Sequence, residues 1–94
     1  MVDKTSIINS FTDLSLELEK RYRGTETANF VNETLIELKK SEGVAFTGCL
    51  QYFFNKAPVI KLSENIKLND QEKVSWRKAF SYNDLGNNLW GANL

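Results

Sequence analysis

Ninety-four residues leave room for one domain, and a chain that is 41% apolar and 26% charged has the composition of a globule, not of a disordered segment. Twelve basic residues balance twelve acidic ones, which argues against a strongly basic nucleic-acid binder and against an acidic mimic of one. The absence of histidine excludes histidine-based triads, histidine-ligated zinc and imidazole pH switches, and a lone cysteine, Cys49, excludes an internal disulfide.

The first helix is predicted over 5–22. Ile7, Phe11, Leu14 and Leu18 recur at i, i+4, i+7 and i+11, one stripe along a helix that Ile8 and Tyr22 widen. Asp3 or Thr5 is the expected cap, Lys20, Arg21 and Arg23 complement the dipole at the other end, and Gly24 suits a left-handed stop. After the charges at Asp3 and Lys4, residues up to 10 offer only the apolar pair Ile7 and Ile8 and no long apolar run, so no signal peptide is expected. No run approaches the roughly 18 apolar residues of a membrane span, and a cytoplasmic location is expected.

A second helix is predicted over 26–42 from the stripe Ala28, Val31, Leu35 and Leu38, with Thr25 or Thr27 as cap, Lys39 and Lys40 in the last turn and Gly43 as the stop. The short connection places it antiparallel to the first. The third segment, 44–66, carries Phe46, Leu50 and Phe53 on one stripe, and Tyr52 and Phe54 make it apolar nearly all round, as befits the centre of a core. Ala57-Pro58 predicts a kink or break, after which Val59, Leu62 and Ile66 resume the stripe. The fourth helix, 70–82, opens on a variant capping box, Asn69 with Glu72 three residues on, and continues through Val74, Trp76, Ala79, Phe80 and Tyr82. The tail, 83–94, is rich in Asn and Gly and is predicted irregular, although it retains Leu85, Leu89, Trp90 and Leu94.

These elements predict an all-α fold, an antiparallel four-helix bundle of one domain with an irregular C-terminal tail. Its expected core is Phe11, Leu14, Leu18, Val31, Leu35, Leu38, Leu50, Phe53, Trp76 and Phe80.

No catalytic residue, cofactor or metal ligand is expected. Glu33 and Glu37 are four apart on a helix face that reads as solvated, and no Glu-x-x-His pair accompanies them. Cys49, beside Leu50 and without a histidine to activate it, reads as a structural thiol. Charge is more informative. Residues 1–48 carry six basic and eight acidic side chains, residues 49–94 six basic and four acidic, so the C-terminal half is the cationic one. Within it Lys73 and Arg77 are four apart and share a face, Lys78 follows, and Leu89 and Trp90 supply an apolar anchor in the tail. Those five residues are the candidate partner-binding set, suited to an acidic partner or anionic headgroups at a membrane surface.

The layout resembles the immunity proteins of pediocin-like bacteriocins, small cytosolic proteins of Gram-positive bacteria. "SIINSFTDLSLELE" looks like that family's first helix and "FVNETLIELKKSE" its second. "LQYFFNKAPVIKLSENIKLNDQEKVSWRKA" is similar to its third helix, turn and capped fourth helix, and "SYNDLGNNLWGANL" to its C-terminal segment. The resemblance is one of pattern over most of the chain. It implies a four-helix bundle that shields its producer from the cell's own bacteriocin, without catalysis, by engaging the mannose phosphotransferase permease that serves as the membrane receptor. It also places specificity in the C-terminal half. A monomer with no nucleic-acid partner is expected. Other classes stay open: a small inhibitor or antitoxin that binds a soluble protein, and a nucleic-acid-associated bundle whose binding would weaken steeply with salt.

Overall fold

Four helices follow one another, α1 (Lys4–Tyr22), α2 (Glu26–Lys40), α3 (Gly43–Ser63) and α4 (Asp70–Gly86), in a computed structural model that describes residues 4–86. α1 packs against α2 and α4, α2 against α3, and α3 closes the ring on α4 most sparingly, so the helices form an all-α four-helix bundle. The stripe read on α1 is buried as Ile7, Phe11, Leu14 and Leu18, and the one on α2 as Ala28, Val31, Leu35 and Leu38. Eight of the ten expected core residues are buried; Trp76 and Phe80 are partly buried and pack against the cluster's edge.

The helix ends show how the loops are held. Gly24 takes the left-handed conformation, with φ 86°, beyond the end of α1. α2 then opens with each early N–H partnered: Thr25 Oγ1 accepts from Ala28 N at 3.1 Å, and Glu64 reaches across from the end of α3 to accept from Glu26 N at 2.8 Å and Thr27 N at 2.7 Å. Thr25, not Thr27, is the cap; the buried Thr27 hydroxyl instead donates to Glu64 at 2.6 Å. α2 stops at Lys40, short of the predicted boundary, because Ser41 turns extended. Gly43 is left-handed as expected, with φ 56°, but it opens α3 instead of ending α2.

α3 departs from expectation twice. It continues through Pro58 without a break. Phe53, Phe54 and Ala57 are buried on one side of that turn, whereas Pro58 itself is exposed, so its ring projects away from the core. The helix also ends at Ser63, not at Ile66. Asn65 enters the left-handed region at φ 55°, its N–H donates to the Leu62 carbonyl, and Ile66 N–H donates back to Lys61 at 3.1 Å. That is a Schellman closure with Asn in place of Gly, and the buried Ile66 packs just beyond it. The capping box of α4 forms as read: Glu72 N–H donates to Asn69 Oδ1 and Asn69 N–H to Glu72 Oε1, both at 2.8 Å. α4 runs to Gly86 and does not stop near Tyr82, since extending a nucleated helix through Asn and Asp costs only a few tenths of a kcal/mol to about 0.7 kcal/mol per residue. The remainder of the tail, 87–94, lies outside the described residues, as does the expected Asp3 cap.

Glu64 yields a test of the inter-helix cap. The Thr27 hydroxyl holds its carboxyl below the usual range, the Glu26 and Thr27 amides act in the same direction, and partial desolvation opposes them. A depressed folded-state pKa contributes stability above the unfolded value, and that contribution disappears as pH falls through the folded one. Thermal melts should therefore show wild-type stability declining below about pH 4.3, with Glu64→Ala flatter over the same interval. At neutral pH Glu64→Ala should cost about 1–2 kcal/mol, the range for losing a helix cap.

Candidate basic groove

The last turn of α3, the loop after it and the first two turns of α4 enclose an open groove of about 600 Å³. Lys61 comes from α3, Ile66, Lys67 and Leu68 from the loop, and Lys73, Trp76 and Arg77 from α4. Each is placed by a feature already described: the Schellman turn directs the chain from Lys61 to Ile66, and the capping box sets where α4 begins. A further tie fixes the loop from below, where the Tyr22 hydroxyl donates to the Lys67 carbonyl. Trp76 is the groove's aromatic wall. It stacks on Phe80 with centroids 4.9 Å apart, leans on Phe53 at 6.4 Å, and holds the Lys61 ammonium 5.8 Å from its ring centre.

Four cations thus surround a half-buried indole. Among the described residues none of the four is ion-paired; the pairs that form engage Lys4, Lys20, Arg21, Arg23 and Lys40. The opposite flank of α4 has the reverse sign: a second groove of about 550 Å³ is lined by Asp13, Glu17 and Glu19 of α1 with Lys20 and Ser75. An anionic group approaching α4 is therefore attracted to its α3 side.

The structure brings together two of the five residues proposed from sequence. Lys73 and Arg77 are exposed and line the groove; Lys78 is exposed but does not line it; Leu89 and Trp90 lie outside the described residues. One detail is corrected. Trp76, expected in the core, instead lines the groove together with Lys73 and Arg77. Lys61, Lys67 and Trp76 were missed because they meet only after the chain turns. The adjacency of the capping box to Lys67 was the one local sign that the loop lysine would sit at the foot of α4.

Chemistry elsewhere is sparse. Cys49 is partly buried, its thiol donates toward the Thr34 carbonyl at 4.0 Å, and burial, aided by the Glu37 charge, pushes its pKa up. A thiol in that state is a poor nucleophile. Glu33 and Glu37 are exposed, with Glu37 paired to Lys40 at 3.3 Å. Among the described residues no group of three or more Cys, Asp or Glu is placed to hold a metal ion, and no helix is long and apolar enough to cross a membrane. No family profile, curated protein or solved structure matches the chain.

Proposed function

We propose that this protein is a bacteriocin immunity protein, which protects the producing cell by binding, without catalysis, at the cytosolic face of the bacteriocin's membrane receptor. The mannose phosphotransferase permease is the partner that the resemblance implies. The carrying observation is the groove: four cations, none ion-paired among the described residues, around a half-buried Trp, in the half of the chain where the resemblance places specificity. An indole beside cations suits an acidic protein surface, because Trp and Arg are enriched where binding energy concentrates.

Expression in a bacteriocin-sensitive strain tests this reading. The chain should protect against one pediocin-like peptide or a few related ones when made inside the cell, and should do nothing when added outside. Lys73→Glu with Arg77→Glu should lower the tolerated peptide concentration at least about tenfold, the equivalent of 1.4 kcal/mol of lost binding. Both residues are exposed, so the melting temperature should hold. Unchanged sensitivity to every peptide tested, with folded protein present, refutes the proposal. Capture of a soluble protein by the groove, abolished by the same pair of substitutions, would favour the inhibitor or antitoxin reading instead.

A further inference from the structure

The outer face of α3 is unlike any other surface of the bundle. Seven large apolar side chains are exposed among the described residues, and four of them, Val44, Tyr52, Val59 and Leu62, are on this helix. Val44 is 89% exposed and Leu62 80%. The other three, Leu16, Ile36 and Val74, stand singly on α1, α2 and α4. At 3.6 residues per turn the four fall within an arc of about 80° and run about 27 Å along the axis. The positions between them, Gly48, Gln51 and Asn55, are exposed and uncharged. α3 contains no carboxylate; of its two charges, Lys56 borders the stripe, and Lys61 turns toward α4 and the basic groove.

We infer that this face of α3 docks on a lipid surface bearing anionic headgroups. The pattern is that of a helix lying in the membrane interface: an exposed apolar stripe with Lys56 at its edge, whose stem can follow the apolar surface while its ammonium reaches the phosphates, and with further cations at the C-terminal end of the helix. Charge complementarity on the α4 side of the stripe selects the occupant; the α2 side, where Glu26 and Glu33 stand near Ile60, is acidic and would face away from the headgroups. Beyond Lys61 the surface continues into the basic groove, so Lys67, Lys73 and Arg77 extend the cationic border. The nearest carboxylates in that direction, Glu64 and Glu72, are engaged with Thr27 and with Arg21 and Asn69. A second copy of this chain would bring the same cations against themselves along the border, which disfavours self-pairing of the face. The inference goes beyond the receptor reading, because it rests on the apolar stripe of α3, which the groove does not include, and is read on vesicles containing no receptor; either can fail alone.

The full chain should float with vesicles of phosphatidylglycerol and phosphatidylcholine in equal parts, and poorly with phosphatidylcholine alone. Binding should weaken as salt rises, since the headgroup attraction is screened. Val59→Asp with Leu62→Asp should reduce partitioning at least about tenfold, because binding strength scales with buried apolar area. Ile36→Asp, on α2, should leave it unchanged. Circular dichroism verifies that the paired variant remains helical; Lys56→Glu with Lys61→Glu weakens the same binding through charge and supplies an independent reading should the first pair unfold. Absence of flotation with the anionic vesicles, equal flotation with neutral ones, or wild-type binding by both variants overturns the proposal. So does a concentration-dependent dimer in sedimentation that Val59→Asp with Leu62→Asp abolishes.

Discussion

Phe53→Ala should cost about 3–5 kcal/mol, the range for emptying a fully enclosed aromatic site. Phe53 has no exposed surface and sits where all four helices meet in aromatic contact. Its ring meets Phe11 of α1 edge-on at 4.7 Å, lies parallel to Phe30 of α2 at 5.8 Å, and touches Phe80 and Trp76 of α4 at 5.3 and 6.4 Å. Four partners held by rigid helices cannot collapse into the void together, which puts the cost toward the upper end. A domain of this size has a stability of roughly 5–15 kcal/mol, so the variant should lie near the edge of folding. Urea titration followed by circular dichroism measures it. Val44→Ala, on the outside of the same helix, should shift the transition by no more than about 0.5 kcal/mol. Equal, small losses for both would mean that Phe53 does not organise the core.

The second large effect should come from Glu72, among the described residues the one buried carboxylate, at 1% exposure. One of its oxygens, Oε1, accepts from Asn69 N–H at 2.8 Å and from Arg21 Nη1 at 3.1 Å. Glu72→Ala removes half of the capping box and strands the Asn69 amide, for about 2–3 kcal/mol. Arg21→Ala leaves a buried carboxylate with its amide partner but without its cation. That loss should stay below the 3–5 kcal/mol typical of a broken buried pair, because Arg21 is half-exposed and water screens the interaction. The double variant should be less destabilised than the sum of the singles, by about 1 kcal/mol, since each single removes the same contact. Strict additivity would show that Arg21 and Glu72 act independently.

Much of the fold is written locally. Apolar residues at helical spacing in α1 and α2, glycine at 24, and the Asn69 and Glu72 pair each concern residues within a turn or two of one another. Helix formation and capping are themselves short-range, so these features were legible from sequence and fix four helices with short connections. The cationic character of the C-terminal half was legible for the same reason, as were Lys73 and Arg77 on one face.

Tertiary structure decided the rest. Local preference predicts a break at Pro58, but burial of Phe53, Phe54 and Ala57 around it holds α3 intact. Glu64 caps a helix that starts 38 residues earlier, a partnership no local pattern encodes. Trp76 carries the periodicity of a core residue and becomes a groove wall only because α3 and α4 close sparingly, leaving one side of the indole to Lys61 and solvent. Helical periodicity determines which side chains share a face. Which faces meet, and which are left uncovered, depends on how the helices divide one small core among themselves, and that division is settled only when the chain is packed.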